Sequence, residues 1–250
     1  MPSILPMAVI TLAASVALWG AMLWAYSGRT WRFVKLVPLG LPLSALVNLL
    51  VKGPLGKGVG ALAGIESGLG LETPIWFLLF LFALAPVFEE LAKALPALLP
   101  FVRRHLTGPE DAYWAGMALG IGFGLGEAAF LAWGIAVSGA YQQYAWYMFT
   151  GFFGERLLVV FIHGFMTALF VWLAARRKPL AGYLAAAGTH ALLNAGAMLY
   201  QLGLIPVWLV SLWLVALLVP MALVFERIRP KTTRTHVDRP DVVYYSADGS

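Results

Sequence analysis

Cysteine is absent from this chain of 250 residues. That excludes a disulfide framework, a thiol nucleophile and a thiolate metal ligand. Charge is scarce too: 12% of residues are charged and 61% are hydrophobic, where soluble domains carry about 25% charged residues. With a mean hydropathy of +0.81, a soluble globular domain is excluded and a multi-pass membrane protein is what remains. The first apolar stretch has no basic n-region and runs from Leu5 to Tyr26. It therefore reads as a retained span rather than a signal peptide. No repeat is evident. The net charge of +5 does not point to nucleic acid, because the basic residues sit in short loops and the tail, where they set topology.

What is there is a series of apolar runs. The expected spans are roughly Leu5–Tyr26, Val34–Val51, Pro74–Leu99, Asp111–Val137, Glu155–Ala175, Leu180–Tyr200 and Pro206–Phe225. The second is interrupted by Pro38 and Pro42. The Gly-rich segment Lys52–Thr73 reads as an exposed loop with room for a short interfacial helix. The aromatic segment 138–154 reads as an interfacial belt or a re-entrant piece. Clusters at Arg29/Arg32/Lys35, Arg103/Arg104, Arg176/Arg177/Lys178 and in the tail from Arg227 fall on one side, so that side is cytoplasmic. The fold class expected is all-α: a polytopic transmembrane helical bundle of about seven spans, N-terminus out and C-terminus in. Residues 1–226 form one membrane domain, with its site region at 74–200. Residues 227–250 form a polar cytoplasmic tail, expected to be disordered. The expected location is the cell membrane.

Inside the third span lies Glu89-Glu90-Leu91-Ala92-Lys93. A charge near a bilayer midplane costs several kcal/mol, so two adjacent carboxylates need a reason. Lys93 is three and four residues from the two acids and shares a helix face with them. It neutralises one and leaves the other over. A structural ion pair or an ion-conducting group is the competing reading of these residues.

Other polar groups reach the same depth. Counting from the basic clusters, Glu89 lies roughly 21 Å, Glu127 roughly 24 Å, His163 roughly 20 Å and His190 roughly 18 Å from the cytoplasmic boundary. Four spans of alternating direction thus bring two acids and two imidazoles to one level. Unpaired polar groups in hydrocarbon must find one another inside the bundle. Asn194, four residues after His190, shares its face. Arg156, seven before His163, reads as an interfacial anchor or as a clamp for an oxyanion or substrate carboxylate. Gly116, Gly120 and Gly124, with Gly122 and Gly126, mark close helix contacts on the fourth span. His105 and His236, in a loop and in the tail, carry no expected site.

No Ser/His/Asp set is evident at this depth, and Thr167 and Thr189 are poor nucleophiles. A buried carboxylate can act as general base on water, with imidazole and amide groups stabilising the oxyanion. Alternatively His163, His190 and Glu127 could hold a divalent metal such as zinc that activates the water. The local H-E-x-x-H motif is missing. A proton-coupled transporter or channel and a non-catalytic scaffold are the readings from other classes. The partners expected are a membrane-anchored protein or peptide substrate and the lipid bilayer.

These residues resemble the PrsW-like branch of the CAAX-protease and bacteriocin-processing (ABI) superfamily of intramembrane proteases. Glu89-Glu90-x-x-Lys93 matches EExxK. Gly120 to Glu127 matches G-x-G-F-x-x-x-E, with Phe123 inside it. Arg156 followed by His163, and His190-x-x-x-Asn194, match the third and fourth motifs. The resemblance implies an endopeptidase in which Glu89 activates water and Glu90 helps it or contacts substrate. His163, His190, Asn194 and Glu127 complete the site, with Lys93, Arg156 and Phe123 in support. Two departures mark the chain. Ala128 stands where the family often has Asn, and Lys93 replaces the later Arg of the CAAX branch, which disfavours prenylated substrates.

Overall fold

The computed structural model describes residues 4–65, 73–104, 106–139 and 141–230. The expectations for His105, His236 and the tail from 231 onward, and part of that for the Gly-rich segment, fall outside them. Every regular element among the described residues is helical. The long tracts are α1 (Ile4–Tyr26), α2 (Trp31–Leu62), α3 (Ile75–Ala94), α4 (Pro109–Ser138), α5 (Thr150–Ala175), α6 (Pro179–Gln201) and α7 (Val207–Ile228). Among the described residues six of these, all but α6, are long and apolar enough to cross a membrane. The 23 residues of α6 would reach about 35 Å. Alanine, glycine, His190 and Asn194 dilute its apolar character.

The centre is α4, nearly all buried from Ala112 to Ala128. Pro109 opens it after Gly108, where the missing N–H costs nothing. Gly139 closes it in the left-handed region, φ 69°, which suits a residue without Cβ. Its glycines form two seams. A Cβ on Gly120 would sit 2.2 Å from the His163 carbonyl oxygen, and one on Gly116 would sit 2.7 Å from that of Thr167. On the other side, a Cβ on Gly122 would sit 2.0 Å from the Val37 oxygen, and one on Gly126 would sit 1.9 Å from that of Leu41. The backbones of α5 and α2 therefore rest directly on α4, as small residues permit. Around this core α1 packs on α4 and α5, α6 packs on α5 and α3, and α7 lies outside α6.

The second tract departs from the expected span. Thr30 caps it, its hydroxyl oxygen accepting the Arg32 N–H at 3.2 Å. At Asn48–Lys52 it widens into a π turn, with the Gly53 N–H bonded to the Asn48 carbonyl. Pro54 follows and has no N–H for Leu50. The helix then continues to Leu62, through residues expected as an exposed loop with room for a short interfacial helix. Packing overrides propensity here. Gly56 and Gly60 bring the tract close to Leu81 and Phe77 of α3, at 3.2 and 3.3 Å from their would-be Cβ atoms. In the aromatic segment, Trp146–Phe149 is a 3-10 turn that runs straight into α5. Pro86 interrupts α3 three residues before Glu89, and the α-helix gives way at Leu95 to a 3-10 turn containing Pro96.

Candidate active site

Glu89, Glu90 and Lys93 come from α3, Phe123 and Glu127 from α4, Arg156 and His163 from α5, and His190 and Asn194 from α6. Glu89, Glu90, Lys93, His163 and His190 are all buried, at most 4% exposed. The expected convergence in depth is also a convergence in space. A cavity of about 190 Å³ is lined by Glu89, Glu127, Arg156, His163, His190 and Asn194, and by Lys52.

Each carboxylate of the cluster faces a cation. Lys93 Nζ donates to Glu90 Oε1 at 2.5 Å with both side chains fully buried. Arg156 donates to Glu127 Oε2 at 3.0 Å and to Glu155 Oε1 at 2.5 Å. Lys52 donates to Glu89 Oε1 at 2.6 Å. Two buried carboxylates, Glu89 and Glu90, and the half-buried Glu127 thus face three cations, which is how a low-dielectric interior tolerates them. Lys52 was not expected. Sequence places it at the edge of a Gly-rich stretch with no apolar period, and only the π turn carries it to Glu89. The acid expected to be left over therefore has a partner on one oxygen. Its other oxygen, Glu89 Oε2, is buried without a hydrogen bond, as is Glu90 Oε2.

The imidazoles are held differently. His190 Nδ1 meets Glu90 Oε1 at 2.6 Å. An ionised carboxylate only accepts, so Nδ1 carries the proton and Nε2 keeps its lone pair. That Nε2 lies 4.0 Å from Glu89 Oε2. His163 Nδ1 faces the Lys93 ammonium at 2.7 Å, which can only donate. His163 therefore carries its proton on Nε2 and gives it to Glu127 Oε2 at 3.0 Å. Phe123 closes this corner, with Lys93 Nζ 4.5 Å from its ring centre and its edge against His163 at 5.2 Å. Asn194 lines the cavity one helical turn from His190.

This bonding bears on the expected zinc set of His163, His190 and Glu127. A ligating histidine normally gives its second N–H to an acceptor. His190, backed by Glu90, meets that condition. His163, backed by an ammonium, does not, because its Nε2 lone pair is taken by the proton. Among the described residues no group of three His, Asp or Glu side chains is arranged to hold a metal ion.

No curated protein and no solved structure matches the chain. A family model does, described as PrsW family intramembrane metalloprotease, and it covers residues 8–224.

Proposed function

The chain belongs to the PrsW family and is a membrane protease, and we propose that Glu89 is the base that activates water to hydrolyse a peptide bond of a membrane-anchored protein or peptide. The observation that carries this reading is Glu89 Oε2. It is a buried carboxylate oxygen with no partner on a residue that lines a cavity with two imidazoles and an amide. Lys52 holds the other oxygen and so fixes the direction of the free one. The EExxK, G-x-G-F-x-x-x-E, Arg-to-His and H-x-x-x-N motifs favour a wider kinship with the CAAX and bacteriocin-processing proteases.

The steps balance as follows. Glu89 Oε2 takes a proton from water as its oxygen bonds to the scissile carbonyl carbon. The oxyanion that forms is met by N–H donors, the Asn194 amide and His163 Nε2–H, the latter swinging from Glu127. His190 Nε2, its lone pair free, accepts from the attacking water and orients it. The C–N bond breaks as the protonated Glu89 returns its proton to the leaving amine. Glu90 and Lys93 set the tautomers of the two imidazoles. Arg156 holds Glu127 and so sets where His163 points. His163, His190 and Glu127 as hydrogen-bonded do not present a set fit for the metal that a metalloprotease implies, and no step is routed through one.

Glu89→Gln keeps the shape and removes the base. Cleavage of single-span substrates by purified protein should fall about 10²–10⁴-fold while insertion and purification stay normal. Wild-type activity should survive exhaustive chelation. Near-normal turnover by Glu89→Gln would sink the assignment, and metal-reversible loss on chelation would restore the zinc reading. A proton path would need these groups to lead to both faces. Here Glu89, Glu127, His163 and His190 close around one cavity.

A further inference from the structure

A second cavity, about 350 Å³, adjoins the first and shares Lys52, Ala85, Asn194 and Ala197 with it. Its walls are two helix faces. Leu78, Leu81, Phe82 and Ala85 repeat at helical spacing on α3 and lead to Glu89. On α6, Asn194, Ala197, Met198 and Gln201 repeat in the same way and lead back to His190. The two faces run antiparallel, so they bound one groove from the Glu89/His190 pair to the Ile75/Gln201 end of the bundle. Leu78 and Glu89 are eleven helical steps apart, about 16 Å. An extended chain covers that distance in about five residues.

A peptide bond inside a transmembrane helix is shielded by its own turn, so it must be unwound before water can attack. Unwinding exposes N–H and C=O groups that cost several kcal/mol each in hydrocarbon unless they find partners. The groove supplies such partners beside its apolar walls: the side-chain amides of Asn194 and Gln201, the Lys52 ammonium, and the Phe82 carbonyl, which Pro86 leaves without its usual i+4 donor.

Building on the proteolytic reading above, we propose that this groove holds about five unwound residues of the substrate's membrane segment, with a bulky aliphatic or aromatic side chain between Leu81, Phe82 and Met198, about three residues from the scissile bond. The substrate reaches the site from the Ile75/Gln201 end, and cleavage falls about five residues inside that face of the membrane.

Two measurements test this. In the first, single-span substrates carrying Leu, Ala or Asp at each position around the cut are given to wild type, Met198→Trp and Leu78→Trp. Wild type should prefer Leu over Ala at one position by 10-fold or more. The tryptophan variants, by filling the groove, should reduce or reverse that preference while still cleaving the Ala substrate. In the second, a photoreactive residue replaces Leu81 in the Glu89→Gln protein, which binds without turning over. It should crosslink within about five residues of the cut, and the same probe at Val9 on the lipid face of α1 should not. Glu89-dependent cleavage whose side-chain preference ignores both tryptophans, or equal crosslinking from Leu81 and Val9, overturns the groove and leaves the catalytic assignment standing. Normal cleavage by Glu89→Gln overturns the catalytic assignment, while the crosslink pattern still decides whether the groove binds the substrate.

Discussion

Lys93 serves two masters at once. It neutralises Glu90 and fixes the tautomer of His163. Lys93→Met should leave Glu90 with His190 as its remaining partner and cost about 3–5 kcal/mol, as for other broken buried pairs. Pairing it with Glu90→Gln removes the orphaned charge, so the double variant should recover most of that loss in detergent unfolding and stay inactive. A Lys93→Met protein as stable as wild type would show that the pair is not structural. The partnership of Lys93 with one of the two acids was legible from the i, i+3 spacing. The choice of Glu90, and the capture of Glu89 by a residue 37 positions earlier, were not. Helical period reports which residues share a face, and says nothing of what another helix brings laterally.

At the level of elements, the glycine seams of α4 set the distances on which the site depends. Gly120 lets the backbone of α5 come in at His163, so its replacement should move a candidate catalytic group rather than merely loosen a core. Gly120→Val should abolish activity and lower thermal stability in micelles. Gly134→Ala, on the same helix with nothing within 4 Å of its added carbon, should be neutral or gain about 0.5–1 kcal/mol. If both behave alike, close approach is not what these glycines provide. The spacing of these glycines could be read from sequence because the small-residue repeat is a local signal. The helix through Gly53–Leu62 could not. Glycine is a poor helix former, and the contacts with α3 that hold it there are long-range.

The whole molecule has a directional prediction. We propose that α6 crosses the membrane along with the other six tracts, giving seven spans with the N-terminus outside and the tail inside, as the basic clusters indicate. Single cysteines can be introduced against the cysteine-free background and labelled with an impermeant reagent. A site in the Leu202–Ile205 turn should react from outside, and one beyond Arg227 only after permeabilisation. Labelling of the tail in intact cells would reverse the topology, and with it the side from which the groove admits its substrate.

The weak apolarity of α6 has a consequence for biogenesis. A segment rich in alanine and glycine, carrying an imidazole and an amide at its middle, gains little by leaving the translocation channel for lipid on its own. It would partition only once α3 and α5 stand ready to receive His190 and Asn194. Two groups of the proposed site, His190 and Asn194, would then arrive last, after α3 and α5 are in place. Newly made copies would stay catalytically silent through synthesis, and no separate inhibitor would be needed to keep them so.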